Sequence, residues 1–268
     1  MGGPEIFSSV IDGYLPQPQA ALLNGIVFGI PIGKYGDFHT KLKMVGLLHL
    51  VVLSGMNITI LAGIVTAITI PFGRKLSLLI TGLLILFFVY FIGLQAPAVR
   101  AGFCAILTVV SIAFGRKAVP LYLLILSGIF IAIFFPDWVT GLSFQLSYGA
   151  TLGIILFGPK IQINHSGLFG SLLSNISQEL RVTLAAQVFT APLIFIHFKQ
   201  ISLISPLANI MVAFLVAPLM ILGMMTAFLG KMSHSIGLIP SIICYGILNY
   251  MLLVIDILSK VPLGYISF

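Results

Sequence analysis

Between Lys199 and Lys231 the chain carries no charged side chain, and the same holds from Leu76 to Val99 and from Ala118 to Pro136. Helices of that length span or nearly span the roughly 30 Å hydrocarbon layer of a bilayer, at about 1.5 Å per residue. A soluble domain has no core large enough to hide them all. Only 7% of the 268 residues are charged and 59% are hydrophobic, where an ordinary globular domain is about 25% charged. The pattern specifies an all-α polytopic integral membrane protein.

About eight transmembrane helices are expected, over 44–72, 76–95, 97–114, 119–135, 141–157, 180–198, 203–229 and 236–258, the seventh tilted or broken near Pro218. Residues 18–33 are apolar but short and hold Pro18 and Pro31, which predicts an interfacial or re-entrant helix. Its Gly25, Gly29 and Gly33 have the spacing that lets a helix lie close to a neighbour. Residues 1–17 read as an N-terminal extension without signal-peptide features, so the spans themselves direct insertion, and 18–262 as one membrane domain. Cys104 and Cys244 lie inside apolar segments and read as small core residues. The net charge is +7. Counting loops alternately puts Arg74, Lys75, Arg116, Lys117, Lys160, Arg181 and Lys231 on one side, and Lys34, Lys41, Lys43, Lys199 and Lys260 on the other. The small excess assigns the first set to the cytoplasm and both termini to the outside.

Polar residues within the apolar runs are the informative exceptions. On a continuous first span Gly46, His49, Ser54 and Asn57 share a sector of about 140°, so they face protein or water, either lining a cavity or fastening helices. Arg100 follows Pro97 at the outer start of the third span, where the positive end of the helix dipole opposes a cation. It calls for an anion, a protein carboxylate or a ligand phosphate, unless it snorkels to the interface. Gln145 and Ser147 sit in the outer half of the fifth span, beside the close-approach pair Gly149 and Gly153. His197, Lys199, Ser202, Ser205 and Asn209 gather at the outer ends of the sixth and seventh. Four segments thus predict a polar vestibule open to the outside.

The common catalytic patterns are missing. "GIPIGKY" has three residues between its glycines and a tyrosine where a Walker A loop binds magnesium. No H-E-x-x-H occurs, and His39, His49, His165, His197 and His234 lack metal-ligand spacing. Ser54, in "LSGMN", lacks the first glycine of a nucleophile elbow. Asp256 and Lys260 read as a snorkelling pair. The expectation is a protein that is not an enzyme and uses no cofactor or metal.

Four stretches, "GLLHLVVLSGMNITIL", "APAVRAGF", "GLSFQLSYGATLGIILFGP" and "FKQISLISPLANIMVAFLVAPL", resemble in that order the transmembrane competence domain of the ComEC family. The likeness extends from about residue 20 to 260. It implies a channel in the bacterial inner membrane that carries single-stranded DNA during natural transformation. It also implies roles for His49, Ser54, Gly55, Arg100, Gln145, Ser147 and Asn209, which stand at matching positions. Asn57 departs from the family's histidine. Larger members carry an OB-like domain and a metallo-β-lactamase-like nuclease domain, for which this chain has no room.

The residue reading and the resemblance meet at an outer mouth where Lys34, Lys41, Lys43 and Lys199 join Arg100 to attract phosphate, with His49, Ser54, Asn57, Gln145, Ser147, His197 and Asn209 along the path. Tyr35, Phe38, Tyr148, Phe195 and Phe198 offer stacking faces. The expected partners are single-stranded DNA, the lipid bilayer and further copies of the chain. The resemblance adds a cytoplasmic helicase-like motor and outer DNA-receptor proteins. Two rival readings remain at this stage: a transporter or channel for a small anionic solute, and a scaffold whose polar groups only fasten helices.

Overall fold

The computed structural model describes residues 3–32, 36–48, 55–159, 168–261 and 265–267. Proline and glycine punctuate the apolar runs, and the helices start and stop at them. In chain order these are α1 (Glu5–Tyr14), α2 (Gln19–Phe28), α3 (Gly36–Val45), α4 (Gly55–Thr69), α5 (Arg74–Ile92), α6 (Ala96–Ala113), α7 (Pro120–Phe134), α8 (Pro136–Val139), α9 (Leu142–Phe157), α10 (Leu168–Phe198), α11 (Ser205–Met232) and α12 (His234–Ser259). A 3-10 turn, Ile70–Phe72, follows α4. Two short strands, β1 (Gln200–Ser202) and β2 (Tyr265–Ser267), pair antiparallel with Ile201 opposite Ile266, a ribbon the all-helical expectation did not include.

Among the described residues, five helical stretches are long and apolar enough to cross a membrane: α5, α6, Ser177–His197 of α10, α11 and α12. The expected spans at 119–135 and 141–157 form α7 and α9, helices of 15 and 16 residues. At about 1.5 Å per residue these reach roughly 22–24 Å, short of the full hydrocarbon layer. Pro120 and Pro136 bound the first of them, and Gly141 and Gly158 the second. Pro218, near which the seventh span was expected to be tilted or broken, is accommodated inside a continuous α11.

The first span differs more. It is not one helix over 44–72, because α3 ends at Val45 and the chain turns at Gly46, whose φ is +76°. A β-carbon at Gly46 would lie 2.6 Å from Ser205 Cβ, so both the backbone conformation and the close contact require glycine. Gly46 therefore shares no helical face with Asn57.

Two apolar cores hold the helices together. In the first, α1, α11 and α12 pack against α2, all ten of whose residues are buried, and α3 joins the same core against α12. An interfacial helix leaves one face open; α2 is apolar nearly all round and leaves none, so it is an enclosed core helix. Gly29 ends α2 in the left-handed conformation, φ 69°, and so is a cap rather than part of a small-residue stripe. Residues 1–17, read as an extension, include α1, whose Tyr14 hydroxyl donates to the His234 carbonyl at 2.8 Å.

The second core joins α4, α5 and α6 with Ile131 of α7 and Met220 of α11. Hydroxyls link α4 to α5, Thr66 to Thr81 at 3.1 Å and Thr69 to Ser77 at 2.7 Å. Arg74 Nη2 donates to the Ile112 carbonyl at the end of α6, which also accepts from the Gly115 amide. α9 lies against α10 through the expected glycines: a β-carbon at Gly149 would stand 3.3 Å from Phe189 Cβ, and one at Gly153 would overlap the Ala185 carbonyl. The outward faces are apolar, with Leu83, Phe87 and Tyr90 of α5, Ile129 and Ile133 of α7, and Ile239, Ile242, Leu253 and Ile257 of α12 exposed at helical spacing. Such faces suit lipid as solvent, and the chain is a membrane protein.

Candidate functional site

The sequence-predicted polar residues separate into local groups. Asn57, 1% exposed, donates from Nδ2 to the Ile26 carbonyl at 2.8 Å. At that end of α2 the Gly29 and Ile30 amides already serve the Gly25 and Asn24 carbonyls. Asn57 supplies a donor to the next one, so a buried carbonyl in an apolar core is paired and α4 is tied to α2. Of its sequence neighbours, Gly55 opens α4, while His49, Ser54 and Lys34 lie outside the described residues.

A second group joins α10, α11 and the corner after α3. Asn209 Nδ2 donates to Thr183 Oγ1 at 2.6 Å, and Gln187 Nε2 to Ser205 Oγ at 3.2 Å. Ser202 Oγ donates to the Met44 carbonyl at 2.7 Å, beside the Gly46 turn. The buried Asn209 Oδ1 has no hydrogen-bond partner. Sequence reasoning missed Thr183 and Gln187, although their four-residue spacing puts both on one face of α10, and that was the available signal.

The expected outer basic patch is divided. Lys41 Nζ meets Asp256 Oδ1 at 2.6 Å, and Lys260 Nζ meets the other oxygen of the same carboxylate at 2.6 Å. Asp256 thus binds α3 to the end of α12 as well as pairing with Lys260. Lys43 is also engaged, within the last turn of α3. Lys199 is exposed, takes a left-handed φ of 53° at the end of α10, and places Nζ 5.8 Å from the Phe195 ring centre. His197 is exposed and contacts its own helix, Nδ1 to the Leu193 carbonyl at 3.0 Å. Gln145 Nε2 reaches the Thr140 carbonyl at 3.2 Å, closing the turn that starts α9. Phe38, expected as a stacking face, is 9% exposed and belongs to the core.

The third group joins α6 to α9. Arg100 is 9% exposed, and its Nε donates to Ser147 Oγ at 2.9 Å. The guanidinium carbon lies 5.8 Å from the centre of the Tyr148 ring. All six Asp and Glu residues are among those described, and both ion pairs they form end on Asp256. Arg100 therefore has no carboxylate partner. Among the described residues, the guanidinium's hydrogen bond is the one from Nε, and it leaves the Nη edge outside that contact. Burial of an ion costs several kcal/mol even after relaxation, on the order of the net stability of a domain. A hydroxyl acceptor and an aromatic ring offset part of that cost and leave the charge uncompensated.

No group of three or more His, Cys, Asp or Glu side chains among the described residues forms a metal-binding cluster. The model of the family described as "Competence protein" matches residues 36–268. ComE operon protein 3 of Bacillus subtilis (strain 168) is 25% identical over 210 residues, which cover 77% of this chain and 26% of that protein. The chain thus spans about a quarter of the length of this relative. No solved structure matches it. With most of its length matched by the family model, the chain belongs to the competence protein family.

Proposed function

We propose that this competence-family chain forms part of the path by which single-stranded DNA crosses the bacterial inner membrane during natural transformation. The observation that carries the reading is Arg100, a buried arginine one turn into α6 without an Asp or Glu partner. A nucleic-acid strand brings one negative charge per nucleotide, and a guanidinium is the side chain best matched to phosphate oxygens. Membership of the competence family and the net charge of +7 support the same direction. The sequence offers no ATP site, so the strand is drawn by an external motor of the helicase kind and handed over by outer DNA receptors. An opening of nanometre width for the strand forms between copies of the chain.

The test is uptake of labelled DNA in host cells lacking the protein, then with wild type or Arg100→Ala restored at equal membrane abundance. The expected result is loss of internalisation on deletion, rescue by wild type, and no rescue by Arg100→Ala. Unchanged uptake on deletion would overturn the reading and favour a carrier of small anions.

A further inference from the structure

Resting on the nucleic-acid reading above, we infer that Arg100 is presented as a fork for one internal phosphodiester of the strand, selective against polyphosphates, and that Tyr148 is its positioning residue. The orientation of the guanidinium is set from two directions. Its Nε edge is committed to Ser147 at 2.9 Å, and its Cζ stands 5.8 Å from the centre of the Tyr148 ring. Tyr148 is in turn fixed at both ends: its hydroxyl donates to Ser127 Oγ at 2.8 Å, and its ring stacks on Phe144 with centres 4.1 Å apart. Ser127 is fully buried and donates onward to the Leu124 carbonyl at 2.8 Å. α7, α9 and α6 thereby hold one planar group in one attitude, with the Nη edge turned from Ser147.

That edge is a pair of parallel donors, the geometry that matches two oxygens on one phosphorus. Among the described residues, the titratable groups acting on the guanidinium are Cys104 and Tyr148, neither of them a second cation. Among the described residues, one positive charge therefore meets the ligand. A phosphodiester carries one negative charge and is neutralised by it. A phosphomonoester carries about −1.5 to −2 at neutral pH, and a polyphosphate more, so either would leave excess charge in a buried setting. The Tyr148 ring is occupied by Phe144 and the guanidinium, so the grip falls on the backbone and not on a base. A strand could then pass one linkage at a time, irrespective of sequence.

The experiment uses the full chain in lipid nanodiscs and follows displacement of a fluorescent oligothymidylate by three probes: the same oligonucleotide without terminal phosphates, its methylphosphonate counterpart with neutral linkages, and inorganic pyrophosphate. The unlabelled oligonucleotide should compete, and the other two should be weaker by about tenfold or more. Arg100→Gln should lower the salt dependence of oligonucleotide binding by about 0.7 in log–log slope, one single-strand phosphate. Arg100→Lys should keep that slope while weakening binding. Tyr148→Phe, which deletes only the bond to Ser127, should also weaken binding at an unchanged slope, because the charge stays and its orientation is lost. Equal competition by the methylphosphonate or by pyrophosphate would overturn the inference while leaving DNA binding intact. Binding of pyrophosphate with no binding of the oligonucleotide would overturn the nucleic-acid reading as well. An unchanged slope in a folded Arg100→Gln would remove Arg100 from the strand contact.

Discussion

Lys41 and Arg100 are both basic residues on short polar interruptions of apolar sequence, yet the fold treats them oppositely. The Lys41 side chain is 43% exposed and sits 2.6 Å from a carboxylate that also holds Lys260. Arg100 is 9% exposed and has a serine hydroxyl and a tyrosine ring. An ion pair is placed where water already screens the charge, and none where the charge is costly to bury. The difference separates a charge that fastens two helices from a buried one met by a hydroxyl and a ring.

The comparison can be broken by experiment, and the largest effect tests its scaffold. Gly153→Leu should drive α9 off α10, destabilise the protein by about 3 kcal/mol, and displace Ser147 from Arg100. Thermal unfolding in detergent, read beside oligonucleotide binding, would show both losses together. Arg100→Met should act in the opposite sense, raising stability by about 1–4 kcal/mol while weakening strand binding and lowering its salt slope by about 0.7, because a well-packed apolar chain replaces an unpaired buried charge. A loss of stability would reveal a partner for Arg100 and end the contrast with Lys41. Asn57→Ala should cost about 1–3 kcal/mol by stranding the Ile26 carbonyl, with the salt slope of binding intact, since Asn57 is structural. Asp256→Asn should have the smallest effect, a slight fall in unfolding temperature at low salt that disappears near about 1 M salt, as an exposed pair requires.

Several features were legible before any coordinates. The apolar runs marked the helices, and the glycines at 149 and 153 marked a close contact, because helical periodicity and small side chains are local properties. That Arg100 is a costly place for a charge was also legible, since the dipole of an apolar helix opposes a cation one turn from its start. Less legible was the break at Gly46. Glycine tolerates either sign of φ, so only the abutting Ser205 reveals that the chain turns there. Likewise the hydrophobic sequence of 18–33 suits a surface or a core, and packing of α1, α11 and α12 against α2 determined which.

The amino-acid order settled the solvent of this protein and the kinds of group it hides, because transfer of apolar surface and burial of charge depend on composition along each helix. Which groups meet was settled by packing. Arg100 and Ser147 are far apart in the chain, as are Lys41 and Asp256, and no local preference links either pair. The acid went to the lysine and the hydroxyl to the arginine because α3 lies against α12 and α6 against α9, and the assembly of helices alone selects those neighbours.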